Sequence, residues 1–311
     1  MDISIIIPAR NGEKYLRECL DSVFNQTFKG EYEVFLEIDP STDRTVEIAN
    51  EYKKSHPNLI VDLHNGIGIQ GSRNYAVKKS KAKYICFLDV DDCYEKDYLK
   101  VMFEEIEKGY DVVNCSFKTE KNGKKHKNLF VKNKEFDSVG ACKALLKDTY
   151  MRSFLWSKIF KRELLLGAPI IDTTNAIFED TVAIYSIFMS TKKVKTIKAP
   201  LYIYRIHSSS STQTEKKERF AYHLWAFSYI RHQCDKSENV GYLQGFLKTY
   251  KRSKLSLFYD AYVSRHVLGH GPRKELKLNK SILKDLKKKE KLDISKYPEI
   301  EKFILETVKI V

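Results

Sequence analysis

Three aspartates stand within four residues in FLDVDD, Phe87–Asp92: Asp89, Asp91 and Asp92. The apolar run YICFL leads into them, so they fall where a buried strand ends. Carboxylates this close repel one another unless they fan out into water or share a positive partner. An Asp-x-Asp frame suits a hard divalent cation, Mg²⁺ or Mn²⁺, which takes oxygen ligands and keeps positions open for phosphate oxygens. Three other readings compete: solvated loop acids, Asp92 capping a helix that starts near Tyr94, and a phosphatase-type frame whose first Asp accepts a phosphoryl group. The phosphatase arrangement ends the first strand of its fold. Here the motif ends the fourth, and Cys93 stands where Thr or Val is usual.

A second stretch with chemical meaning is GIGIQG, Gly66–Gly71, a literal GxGxxG followed by a helical pattern and then by a strand ending at Asp89. That is the order of the dinucleotide-binding fingerprint. Two strand–helix units precede it, Asp91 and Asp92 crowd Asp89, and Arg73 puts a cation on the first helical turn. A dehydrogenase is therefore a minor reading. The simpler expectation is that the glycines let backbone amides approach a phosphate or nucleobase.

The elements that must position these residues alternate between two periods. ISIIIP (Ile3–Pro8), EVFLEID (Glu33–Asp39), LIVDLH (Leu59–His64) and YICFLD read as strands. Tyr15, Leu16, Cys19, Leu20, Val23 and Phe24 recur at helical spacing after a start at Asn11-Gly12. STDRTVEIANEYKK opens with capping residues, and GSRNYAVKKS supplies the third helix. Strand–helix alternation predicts an α/β fold with a mostly parallel central sheet flanked by helices. Ligands of such sheets bind beyond the carboxyl ends of the strands. Arg10-Asn11, Asp39, Asn65-Gly66 and the aspartates all fall there. From Asp97 a helix, a strand (DVVNCSF) and a polar hairpin-like stretch lead into a mixed region. Beyond about Gln213 the chain reads as helical, aromatic and Lys-rich.

Of the 311 residues, 42% are hydrophobic and 31% charged, an ordinary soluble balance, but the formal net charge is +14. Such a charge suits phosphorylated substrates, an anionic membrane surface, nucleic acid, or only a solvated Lys-rich face. None of the six cysteines forms a CxxC pair, which predicts reduced thiols rather than a disulfide framework or zinc site. MDISIIIPARNG reads as a first strand, not a signal peptide, and no apolar stretch nears the ~20 residues of a membrane span.

Taken in order, PARNGEKYLRECLDSVFNQT, EIDPSTDRT, HNGIGIQGSRNYA and FLDVDD resemble the motifs of inverting family 2 glycosyltransferases, which have the GT-A fold. RSFLWSKIFKREL, FED (Phe178–Asp180) and PLYIYRIHSSSS resemble the acceptor-side motifs of bacterial members that build capsules, teichoic acids and lipopolysaccharides. The resemblance spans Ile3 to Ser211. It implies a nucleotide-sugar donor, a glycan or lipid-linked acceptor, and Mn²⁺ or Mg²⁺. It puts Pro8 and Asp39 beside the nucleobase, with Arg10, Asn65, Gly66 and Arg73 also on the nucleotide-sugar. It gives Asp89 the ribose side, Asp91 the metal, and Asp180 the role of catalytic base. Ile38-Asp39 replaces a frequent acid pair, Pro40 a small Gly, and Arg10 a Tyr or Phe, so the fold is implied more firmly than the nucleotide.

One carboxylate base suffices for attack on the anomeric carbon opposite the departing diphosphate, so configuration inverts. Arg205 and His207 are candidate diphosphate contacts or ordinary strand-end residues, and Trp156 is either an acceptor-sugar platform or core. The implied domains are 1–211, with a nucleotide half (1–96) and an acceptor half (97–211), and a basic helical extension, 212–311. That extension reads as an oligomer contact or as an amphipathic surface for anionic lipids, and nucleic acid is disfavoured. The expected setting is the cytoplasm, at most on the inner face of a membrane. Another nucleotide-using transferase and a non-catalytic sugar- or lipid-binding module remain as alternatives.

Overall fold

The structure, a computed structural model, describes residues 1–121, 123–128, 131–147, 150–167, 179–207 and Ile230. The chain divides into two compact units, Met1–Thr174 with Ala183–His207, and Asn175–Val182 with Ser208–Val311. The helical extension expected over 212–311, with its basic tail, lies outside the described residues apart from Ile230.

The first unit opens with β1 (Ile3–Ala9), α1 (Leu16–Phe24), β2 (Tyr32–Ile38), α2 (Thr45–Ser55), β3 (Leu59–Leu63), α3 (Gly68–Lys79) and β4 (Tyr84–Phe87). It continues through β5 (Cys93–Tyr94), α4 (Tyr98–Ile106), β6 (Val112–Lys121), β7 (Lys124–Asn128), β8 (Lys134–Phe136), α5 (Ser138–Lys147), β9 (Lys158–Lys161) and α6 (Arg162–Gly167). Then come α7 (Glu179–Met189), whose first residues belong to the second unit, and β10 (Val194–Arg205). One sheet runs β3-β2-β1-β4-β9-β6-β10-β5, with β7 beside β6 and β8 beside β10.

The first four strands are parallel, as their continuous apolar runs predict. Every residue of β1 is buried, and α1 packs Leu16, Cys19, Leu20 and Val23 onto the sheet at helical spacing. Truncating any one of the buried leucines would cost about 2–5 kcal/mol. Past β4 the expected parallel arrangement gives way. β9 lies antiparallel between β4 and β6, and β5 antiparallel to β10; only β6 and β10 are parallel. The hairpin of β6 and β7 adds one more antiparallel pair, because two strands joined by a short turn can pair only in that sense.

Two loops at the carboxyl edge are stitched together. Asn11 does not start α1; it takes a left-handed φ of 49°, which Asn tolerates better than most residues. Its Oδ1 accepts from the Thr42 amide at 2.9 Å, and the Gly12 amide donates to Thr45 Oγ1 at 2.8 Å. Asp43 accepts from the amides of Glu13 (2.9 Å) and Thr45 (3.1 Å) just ahead of α2, whose N-cap residue, Arg44, makes no side-chain cap.

Candidate active site

Strand register gathers the polar strand ends on one edge. Ala9 pairs with Ile38 and Ile38 with Leu63, while the Leu88 amide donates to Ile6 O at 3.0 Å. Arg10, Asp39, Asn65 and Asp89 therefore follow their strands at the same edge of the parallel half.

Each aspartate of FLDVDD has its own partner. Arg73, from α3, is 2% exposed and donates to Asp89 Oδ1 at 2.7 Å. His207 Nε2 lies 2.8 Å from Asp91 Oδ2. Asp92 is 1% exposed; its carboxylate accepts from the Tyr202 hydroxyl and the Arg205 amide, both at 2.7 Å. Burial, reinforced by the charges of Asp91 and Asp89, holds the Asp92 carboxyl well above the usual carboxylate range. The Tyr202 hydroxyl also accepts from the Asp89 amide at 3.3 Å, so one buried side chain of β10 braces both ends of the loop. The helix-capping reading of Asp92 is overturned: β5 follows it, and the next helix starts at Tyr98. The three carboxylates thus meet four separate partners, two of them, Tyr202 and Arg205, delivered by the last strand.

Arg205 and His207 share a platform that the sequence did not reveal. The Arg205 guanidinium lies 4.9 Å from the Tyr15 ring centroid, and the His207 ring centroid is also 4.9 Å from it. Arg205 further donates to the Asp91 carbonyl (3.1 Å) and to the Glu18 carboxylate. Both residues thus reach the aspartate loop. Trp156 does not reach an open surface. It is 3% exposed, with rings stacked against it from Phe154 (4.6 Å) and Tyr202 (4.1 Å), so the acceptor-platform expectation is corrected to a core role.

On the other side, Asp39 is buried and accepts from the amides of Ile67 (3.1 Å) and Gly68 (2.8 Å). The turn it grips uses left-handed backbone at Gly66 (φ 87°) and Gly68 (φ 74°), which explains the glycines of GIGIQG. The expectation that these amides approach a phosphate is corrected: a protein carboxylate already occupies two of them. Asn65 and Gly66 are exposed at the tip of the turn, as is Arg10 across the edge, whereas Pro8 is buried at the end of β1. Arg73, expected on the nucleotide, is buried and turned onto Asp89. Asp180 stands in the first turn of α7, in the second unit, partly buried.

Among the described residues no set of three or more His, Cys, Asp and Glu side chains is gathered for a metal. Asp91 and His207 offer a carboxylate oxygen and an imidazole nitrogen side by side. The Asp91 carboxylate suits Mg²⁺ or Mn²⁺, with phosphate oxygens and water completing the shell, whereas the imidazole is a softer donor that Mg²⁺ does not favour. No helix among the described residues is long and apolar enough to cross a membrane.

Comparison with known proteins places this architecture. The family model for glycosyl transferase family 2 matches residues 4–184. The putative glycosyltransferase EpsH of Bacillus subtilis is 28% identical over 224 residues, covering 70% of this chain and 64% of EpsH. TarS, a poly(ribitol-phosphate) β-N-acetylglucosaminyltransferase of Staphylococcus aureus, is 37% identical over 102 residues, 32% of this chain and 18% of TarS. The crystal structure of TarS 1–349 with UDP-GlcNAc superposes with a TM-score of 0.69 at 21% identity, covering 92% of this chain and 91% of that one. A mannosyltransferase from Pyrobaculum calidifontis, solved with GDP-Man and Mn²⁺, gives 0.56 at 16% identity over 99% of this chain and 84% of that one. The chain spans 64%, 32% and 66% of the length of three of the curated relatives it matches. The α/β sheet flanked by helices is the GT-A fold seen in TarS, and the chain belongs to glycosyl transferase family 2.

Proposed function

We propose that this chain is a metal-dependent, inverting glycosyltransferase. It moves a sugar from a nucleotide-sugar, with UDP the favoured nucleotide, to a hydroxyl of a glycan or lipid-linked acceptor in cell-surface polymer synthesis, and it works in the cytoplasm. The observation that carries this reading is the aspartate loop. Asp89 and Asp91 are each oriented by a cation-capable partner at the carboxyl edge of a parallel sheet, where such folds bind ligands. The UDP-GlcNAc complex of TarS, which shares the fold, favours the same class of donor.

Asp89, fixed by Arg73, takes the ribose side, and Asp39 keeps the turn that carries Asn65 and Gly66 in shape beside the base. Asp91, oriented by His207, would hold the divalent cation, which when bound would supply positive charge against the departing diphosphate. Arg205 sits behind this pair, adding positive potential where that charge develops. Asp180 takes the proton of the acceptor hydroxyl.

The test is calorimetric titration with UDP, GDP, CDP and NAD, each with and without Mn²⁺, on the wild type and Asp91→Asn. UDP binding that needs Mn²⁺ and weakens about 10- to 100-fold in the variant is expected, followed by release of free UDP from a UDP-sugar. Metal-independent binding of NAD alone, or nucleotide left attached to the acceptor, would overturn the reading.

A further inference from the structure

The carboxyl end of β2 delivers two carboxylates from alternate positions, Glu37 within the strand and Asp39 just after it, and both hold the turn that follows β3. Asp39 takes the amides of Ile67 and Gly68. Glu37 takes the imidazole Nε2 of His64, whose own amide donates to Ile38 O at 2.9 Å. Glu37 is 0% exposed, and its Oε1 has no hydrogen-bond partner among the described residues. A carboxylate inside a buried strand destabilises the fold unless something is gained by it, and an apolar side chain would pack there without that cost.

The groups around the pair are few. Asp62 of β3 and Lys79 of α3 act on Glu37 with opposite sign and bridge to each other at 2.6 Å; Tyr75 of α3 places its ring edge-on to His64 at 4.9 Å. Little net charge is left to balance a bare Glu37 carboxylate except His64. Burial pushes the Glu37 carboxyl up to about 7, with His64 opposing.

We propose that Glu37 and His64 are positioning residues for the donor turn, Asn65–Gly68: they suspend it from the end of β2 and hold its shape. The inference rests on the reading that this turn receives the nucleotide-sugar. As pH rises through neutrality, the Glu37 carboxyl loses its proton, a buried negative charge remains, and the turn loosens.

Two readouts separate the positioning role from the donor reading. Amide hydrogen exchange at Ile67 and Gly68, corrected for intrinsic rates, is compared at about pH 6 and about pH 8 in the wild type, Glu37→Gln, His64→Gln and His64→Leu. UDP affinity with Mn²⁺ is measured on the same proteins at the same pH values. His64→Leu should speed exchange at these amides about 10-fold or more while β1 amides stay protected, and weaken UDP about 10-fold. His64→Gln, which keeps a donor, should recover most of the loss. Glu37→Gln should remove the pH dependence of both readouts. Unchanged protection in His64→Leu, or an unchanged pH dependence in Glu37→Gln, would overturn the proposal. If His64→Leu fails to fold, the two glutamine variants decide. If the wild type binds no nucleotide, the donor reading fails, and exchange alone still reports whether the pair shapes the turn.

Discussion

The two flanks of the site are assembled by different parts of the chain. On the flank of β2 and β3, partners lie about one strand–helix unit apart: Thr42 with Asn11, Gly68 with Asp39, His64 with Glu37, at separations of 31, 29 and 27 residues. On the flank of the aspartate loop they come from 110 or more residues away: Tyr202 to Asp92, the Arg205 amide to Asp92, His207 to Asp91, at 110, 113 and 116. The first flank forms as consecutive βα units close, whereas the second waits until β10 docks against β5 through Tyr202↔Tyr94 and Ile203↔Cys93. Contacts of long sequence separation carry the larger loop-closure cost. The aspartate-loop flank should therefore be the later one to form as the chain folds.

Arg73 links the two flanks, because it leaves α3 to hold Asp89, and its removal gives the largest expected effect. Arg73→Met leaves Asp89 without its buried counter-charge. Breaking such a pair costs about 3–5 kcal/mol, and the lower end applies because Asp89 is 25% exposed. Urea denaturation measures it; a loss under about 1 kcal/mol would mean that Asp89 finds water or another partner.

The next effect belongs to the β2–β3 flank. Folding raises the Glu37 carboxyl from 4.5 to about 7, so the folded state holds an extra proton between these values. That contribution to stability is fully present below pH 4.5 and is lost as pH rises through about 7. Relative to wild type, Glu37→Gln should gain up to about 3 kcal/mol over that window. Parallel stability–pH curves for the two proteins would show that Glu37 is charged throughout.

Tyr202→Phe probes the other flank. It removes the donor that satisfies buried Asp92 and the acceptor for the Asp89 amide, at a cost of about 1–3 kcal/mol. Mn²⁺-dependent UDP affinity should fall with it, while exchange at Ile67 and Gly68 should not change. Loss of protection at both places would show that the flanks form as one.

The same division explains what was legible in the sequence. The β1–β4 half could be read because its strands are short apolar runs and its helices keep a 3.6-residue stripe, both local properties. FLDVDD was legible as a candidate site because three acids after a buried strand demand partners. The partners themselves were not. Asp39 is held by backbone amides, which carry no residue type, so GIGIQG looked like a phosphate loop when it is a carboxylate-bound turn. Tyr202 resembles any strand tyrosine until β10 is placed beside β5, and Trp156 resembles a sugar platform until rings are stacked upon it. Glu37 did leave a signal: in EVFLEID it is a charge within an otherwise buried run. Its significance depends on His64, and that pairing requires β2 and β3 to be neighbours.

The smallest effect tests whether burial, rather than mere pairing, separates these contacts from the rest. Arg44 and Glu47 form a two-bond ion pair at 2.6 and 2.9 Å, geometrically as good as Arg73 with Asp89, but both side chains are more than half exposed. Water already solvates each charge, so neither would be stranded by loss of the other, and holding two long side chains together costs entropy. Arg44→Ala should move the melting midpoint by no more than about 2 °C. A drop comparable to that of Arg73→Met would mean that the clamp between the 10–13 and 41–45 loops, which Arg44 also joins through its amide to Glu13, depends on this side chain. The donor flank would then be held from its surface as firmly as from its core.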